Sequence, residues 1–87
     1  MNTNIPRVYL YSPVPIEYQR EGIKFLVLER DPCGGIGWFI YLHKSLEEPC
    51  FADEWYEDKS QAENVAVLSY GVTPVMWKPL NSETYHP

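Results

Sequence analysis

The sequence predicts an α+β fold, a two-layer sandwich in which an antiparallel meander of three to four strands carries one helix on one face. Short segments rich in β-branched and aromatic residues recur along the first two thirds of the chain, and glycine- and proline-rich turns separate them. This pattern is typical of strands joined by hairpin turns. One later segment, 58–70, changes to helical spacing and has capping residues at both ends.

The chain of 87 residues has the length of one domain. A chain of this size buries roughly 60–65% of the surface that it exposes when unfolded. We therefore expect a single α+β domain over 1–87 with a small core. Residues 1–6 and 81–87 have no periodic pattern, which predicts loose termini.

The first predicted strand is 7–12, where Val8 and Leu10 alternate with Tyr9 and Tyr11. The prolines that follow end it, because proline cannot donate to a strand ladder. The segment 15–22 fits either a turn of helix or an extended loop.

The second predicted strand, 23–30, has apolar residues on both faces, which indicates a central position in the sheet. The loop 31–37 (DPCGGIG) is predicted to be a hairpin turn. It leads to a third strand at 37–44, which should pair with the second in antiparallel fashion. The segment 50–57 is a plausible fourth strand.

The predicted helix, 58–70, has Asp58 as its N-cap and Gln61 placed to complete a capping box. Gly71 is placed to end it. Its apolar stripe comprises Ala62, Val65, Ala66 and Tyr70, with Leu68 at the flank. The following segment, 72–80, fits either a short edge strand or a helical turn begun by Pro74.

One helix covers only one face of such a sheet. We therefore expect the other face to be solvated or covered by a partner, with aromatic side chains exposed on it.

The net charge is −5, and it is unevenly distributed: 1–46 hold five basic and four acidic residues, whereas 47–87 hold two basic and eight acidic residues. This balance argues against a nucleic-acid partner, which requires a basic surface. It is compatible with a basic protein partner. The absence of a long apolar run and of a signal-peptide pattern predicts no membrane association and a cytoplasmic location.

The cysteine and histidine residues do not form a pattern typical of a metal site or of a catalytic pair. Their long, irregular spacing does not fit a structural zinc site. Cys33 and Cys50 are interpreted as free thiols, with a disulfide as the alternative. Cys33 and His43 are the only sensible nucleophile and base, but they are separated by a strand of roughly 20 Å. We expect no cofactor, no metal and no enzymatic activity.

The most unusual stretch is EEPCFADEWYED, which links the third strand to the helix and mixes six acids with three aromatic residues. It is either an edge strand whose charges discourage edge-to-edge pairing or an interface in which acids attract a basic partner and aromatic residues anchor it. The residues predicted to bind a partner are Glu47, Glu48, Phe51, Asp53, Glu54, Trp55, Tyr56, Glu57 and Asp58.

The leading hypothesis from these observations is a bacterial inhibitor or immunity-type protein that blocks a basic partner, such as a toxin or an enzyme. A second hypothesis is a small-ligand or nucleobase-binding domain, in which exposed sheet aromatics act as stacking platforms; its candidates are Tyr9, Tyr11, Phe39 and Tyr41. A third is a homodimer that buries the uncovered sheet face against itself.

Overall fold

The computed structural model describes residues 7–87, and the expectation for residues 1–6 lies outside them. It confirms the α+β class: a sheet of antiparallel strands carries one helix on one face. The strands are β1 (Tyr9–Pro13), β2 (Phe25–Arg30), β3 (Trp38–His43), β4 (Ala52–Tyr56) and β5 (Lys78–Leu80), and the helix is α1 (Lys59–Tyr70).

Within residues 7–87 the strand order is β4-β3-β2-β1-β5, which corrects the expected count of three to four strands to five. The first four strands form the expected meander with β2 in the centre. The two alternatives for 72–80 both occur in succession, since a 3-10 turn at Pro74–Met76 leads directly into β5. The open segment after β1 also contains a 3-10 turn, at Ile16–Tyr18.

The helix begins and ends at the predicted residues. The carboxylate of Asp58 accepts a hydrogen bond from the Gln61 N–H at 2.8 Å. The Gln61 side chain bonds to the N–H of Glu57 rather than to that of Asp58, so the capping box is shifted by one residue. Gly71 has a φ of 67°, and Val72 N–H bonds back to the Ala66 carbonyl, which closes the helix with a left-handed C-cap.

The main core lies between α1 and the sheet. Ala62, Ala66 and Tyr70 face it as predicted, whereas Leu68 is 81% exposed. Leu68 is two residues after Ala66 and therefore lies about 200° around the helix from it. The buried members of this core are Val14, Ile23, Leu26, Leu28, Ile40, Leu42, Ala62, Ala66, Tyr70 and Val72.

A second core lies on the opposite face of the sheet, where the sequence predicts exposure. Tyr9, Val27 and Tyr41 are buried there beneath Tyr85, with Leu46 and Cys50 packed at the margin. The C-terminal segment, expected to be loose, therefore contributes a buried side chain, and the chain covers much of this face itself. A single aromatic residue in a short aperiodic segment gives no sequence pattern that indicates such docking.

Candidate functional site

β4 lies at one edge of the sheet and pairs with β3 alone among the described residues. This placement follows from the chain order, because β4 is the last strand of the meander and α1 then crosses back over the sheet. Its side chains alternate: Glu54 and Tyr56 point to the helix side, while Asp53 and Trp55 point to the opposite face. The predicted partner-binding segment is therefore divided between two faces and an edge.

Seven of the nine predicted partner-binding residues are exposed. We call this set the β4 edge surface: Glu47, Glu48, Phe51, Asp53, Trp55, Glu57 and Asp58. The first three precede β4 and the last two follow it, so only Asp53 and Trp55 lie on the strand itself. Phe51 is 46% and Trp55 50% exposed, so two aromatic rings lie in the same surface as the five acids.

Glu54 and Tyr56 do not belong to that surface. The Glu54 carboxylate accepts hydrogen bonds from the hydroxyls of Tyr56 at 2.8 Å and of Tyr70 at 2.7 Å. Partial burial and the Glu54 carboxylate raise the pKa of Tyr56 to about 12. Glu54 thus links β4 to the end of α1, and its role in the fold is structural.

Asp58 is exposed, yet it also has a structural role as the cap of α1. The hydrogen bonds from the Gln61 N–H and the Ser60 hydroxyl lower the pKa of its carboxyl group. Its charge still contributes to the field of the β4 edge surface, because a capping carboxylate remains ionised and solvated.

Trp55 lies against the backbone of Gly37. A Cβ atom on Gly37 would lie 2.0 Å from the indole Nε1 of Trp55, so the ring occupies that space only because residue 37 has no side chain. Directly across the ladder, Phe39 flanks Trp55 and is half-buried. The close contact with the Gly37 backbone therefore limits where the indole ring can lie.

Two lysines lie near the β4 edge surface. The Lys44 ammonium is 5.9 Å from the centre of the Phe51 ring, and the Lys59 ammonium is 5.4 Å from that of Trp38. Both positions allow cation–π attraction. The five exposed acids outnumber these lysines, so the local field is negative.

The face of the sheet opposite α1 also contains a buried carboxylate that was not among the predicted site residues. Glu29, 2% exposed, accepts two hydrogen bonds from Arg7 at 2.7 and 2.8 Å and one from the Tyr41 hydroxyl at 2.7 Å. This hydrogen bonding to Glu29 raises the pKa of Arg7. The signal in the sequence is a glutamate on the same strand face as the apolar Phe25 and Val27.

A pocket of about 270 Å³ lies beside this ion pair. Its lining comprises Arg7, Val8, Glu29, Arg30, Asp31, Pro32 and Gly34. Both oxygens of Glu29 already accept hydrogen bonds from Arg7 or Tyr41, so this carboxylate links the three side chains.

His43 is fully buried, and both ring nitrogens are engaged. Nδ1 is 3.0 Å from the carbonyl oxygen of Glu48, which can only accept, so Nδ1 carries the proton. Nε2 therefore accepts from the Tyr85 hydroxyl at 2.6 Å. Burial lowers the pKa of His43. Cys33 lies in the hairpin loop at the other end of β3, so the structure does not bring the candidate nucleophile and base together.

Cys33 and Cys50 are both free thiols. Burial, and then the charge of Asp53, raise the pKa of Cys50. In the described part of the chain, no three His, Cys, Asp or Glu side chains converge to hold a metal ion.

Of the four proposed stacking residues, Tyr9 and Tyr41 are 3% and 6% exposed. All four lie on one sheet face, as the hypothesis requires, but these two rings have no free face for a nucleobase. Phe39 and Tyr41 stack on each other, with ring centres 5.7 Å apart.

Between residues 7 and 87, no helix has both the length and the apolar character needed to cross a bilayer. Comparison of the chain with protein-family models, with curated proteins and with solved structures gives no match.

Proposed function

We propose that this chain is a small acidic protein-binding domain of the inhibitor or immunity type, which blocks a basic partner in the bacterial cytoplasm through the β4 edge surface. The observation that carries the proposal is the combination of five exposed acids and two exposed aromatic rings in the segment 47–58, which contains β4, an outer strand of the sheet in the described part of the chain. Acids at such a surface accelerate association with a basic protein. Desolvated aromatic side chains supply much of the affinity at interfaces.

The alternative explanation of the acids is protection of the edge against pairing with other sheets. Protection does not require Phe51 and Trp55 to be exposed, since apolar side chains on an edge promote association rather than prevent it. The position of Trp55 against Gly37 favours an anchor, because a ring that is already fixed loses less conformational entropy on binding.

The experiment that tests the proposal compares two triple charge reversals. The edge variant carries E48K, D53K and E57K, all within the β4 edge surface. The matched control carries E17K, E21K and E83K at exposed positions elsewhere, so both variants change the net charge equally. Glu54 stays unchanged because its carboxylate is needed for the fold.

Wild-type protein and both variants are immobilised and exposed to a lysate of the source cells. We expect wild type and control to retain the same basic protein and the edge variant to lose it. The purified partner should bind wild type more weakly as salt rises, and its own activity should fall when the complex forms. Equal retention by the edge variant would refute the role of this surface.

A further inference from the structure

The two edges of the sheet differ in their capacity to accept another strand. The outer strands in the part of the sheet that the structure describes are β4 and β5. β5 has three residues, Lys78–Leu80, and its middle residue is Pro79. β4 has five residues and no proline. An edge strand with unpaired N–H and C=O groups is a template for strand addition, and proline is a common device that blocks it.

The hydrogen-bonding pattern identifies which backbone groups of β4 face outward. The Asp31 N–H donates to the Gly37 carbonyl at 2.8 Å, so the backbone of Gly37 faces β2. Because backbone direction alternates along an antiparallel strand, Ile40 and Leu42 direct their N–H and C=O groups towards β4. The Phe51 N–H donates to the Leu42 carbonyl at 3.0 Å, so this carbonyl does point towards β4. Because the register partner of Leu42 is Ala52, this bond lies one residue out of register, and the regular alternation of β4 begins at Ala52, after an irregular residue at Phe51.

Glu54 is the register partner of Ile40 and therefore bonds inward to β3. Its neighbours Asp53 and Trp55 consequently direct their N–H and C=O groups away from the sheet. These two residues are also the members of β4 whose side chains belong to the β4 edge surface. Asp53 and Trp55 therefore offer a partner both unpaired backbone N–H and C=O groups and exposed side chains.

At the other edge, the alternation of backbone groups leaves β5 unable to accept a strand in this way. The Val14 N–H donates to the Lys24 carbonyl at 2.9 Å, so the even-numbered residues of β1 face β2. Tyr9 and Tyr11 then face β5, where they pair with Leu80 and Lys78. Pro79 is left as the outward residue of β5, and it has no N–H to donate.

We propose that the partner engages the β4 edge surface by strand addition: an extended basic segment pairs with the outward backbone of Asp53 and Trp55 and extends the sheet beyond β4. The inference rests on the proposed function and adds the geometry of recognition. Side chains on one face of the added strand would lie beside Asp53 and Trp55. Lysine or arginine at every second position fits both, through charge at Asp53 and a cation–π contact at Trp55.

Charge complementarity selects this occupant over a second copy of the chain. Pairing of β4 with another β4 would bring Asp53 and Glu57 of each copy close to the same acids of the other. Like charges opposed across a strand pair are destabilising. A basic segment replaces that repulsion with attraction along the same edge.

The test uses a defined probe, a nine-residue peptide with blocked ends in which lysine alternates with threonine and valine. Binding is followed by the backbone amide resonances of the protein and by their hydrogen exchange. We expect the largest shifts within 52–57 and slowed exchange at the amides of Asp53 and Trp55. A control peptide of equal charge, with proline at its three central uncharged positions, should not slow these amides.

Two variants separate strand addition from simple charge attraction. D53P removes an outward N–H, whereas D53N removes the same charge and keeps the N–H; thermal melts confirm that both fold. We expect D53P to bind the lysine peptide about tenfold more weakly than D53N, which corresponds to about 1.4 kcal/mol.

Equal affinity of D53P and D53N would overturn strand addition and leave an electrostatic surface that still satisfies the proposed function. Absence of binding to wild type would also overturn strand addition, while the lysate capture described above tests the proposed function independently. The protein without peptide could instead sediment as a dimer with slow hydrogen exchange at the amides of Asp53 and Trp55. That result would show that a second copy of the chain, and not a basic segment, pairs with β4.

Discussion

The hydroxyl of Tyr85 donates to Nε2 of His43 at 2.6 Å, and this bond fixes the C-terminal segment to the sheet. The two rings are also arranged edge to face, with centres 5.4 Å apart. Tyr85 packs on Tyr9 as well, at 4.6 Å between ring centres. One residue near the end of the chain therefore completes the second core.

Replacing Tyr85 by phenylalanine should destabilise the protein by about 1–3 kcal/mol, because the buried Nε2 of His43 loses its donor. Replacement by alanine should cost more, roughly 3–5 kcal/mol, since a cavity is added. Urea unfolding followed by tryptophan fluorescence measures both. The control is H86A at the neighbouring exposed residue, and an equal loss in H86A would contradict a specific role for Tyr85.

The protein should lose stability as the pH falls through the range of histidine titration. Burial lowers the pKa of His43 in the folded state, whereas in the unfolded chain it titrates near its ordinary value of about 6.5. Below that value the unfolded state binds a proton that the folded state does not, so the stabilisation present at higher pH decreases. The slope cannot exceed about 1.4 kcal/mol per pH unit for one group.

Urea unfolding at a series of pH values from 5 to 8 measures this slope. In the variant H43N the dependence within the interval should flatten, although the protein will be less stable throughout. H86N removes a histidine at an exposed position and should keep the wild-type slope. A flat profile in the wild type would contradict a lowered pKa of His43 in the folded state.

Removal of the Glu54 carboxylate should weaken the link between β4 and α1. The variant E54A leaves the hydroxyls of Tyr56 and Tyr70 without their acceptor, and we expect a loss of about 1–3 kcal/mol. D53A, one residue earlier and exposed, should lie within about 0.5 kcal/mol of wild type. If E54A is as stable as D53A, the two tyrosine hydrogen bonds do not contribute to stability.

A methyl group at position 37 should displace the Trp55 ring. In G37A the new Cβ would overlap the indole, and because that ring is half exposed it can move towards solvent at small cost in stability. The expected readout is a red shift and stronger quenching of the Trp55 fluorescence, isolated by difference from G37A/W55F. Unchanged emission would mean that the ring does not depend on Gly37 for its position.

The sequence predicts the larger part of this fold because periodicity and capping are local signals. Asp58 and Gly71 bound the helix as expected, and the apolar faces of β2 place it in the centre. The segment 72–80 fits either a short edge strand or a helical turn in the sequence. In the structure it contains both, first the turn Pro74–Met76 and then the strand β5, and β5 is the strand missing from the expected count.

The candidate site is predicted less completely, since its geometry depends on contacts between distant residues. Charge density locates the segment 47–58, but nothing local indicates that Glu54 accepts from Tyr70, sixteen positions away. Likewise, Tyr9 and Tyr41 are buried beneath Tyr85, and Tyr85 lies in a segment whose sequence has no periodic pattern. Sequence alone therefore identifies the acidic segment but does not show which of its members face the helix.

The proline in β5 limits how large an assembly built by strand pairing can become. Growth into a filament by repeated edge-to-edge pairing needs two receptive edges on every molecule. Among the described residues, Pro79 removes the outward N–H of β5, so β5 is a poor edge for repeated pairing between copies of this chain. Copies of this chain are therefore not expected to assemble into a filament through their sheet edges.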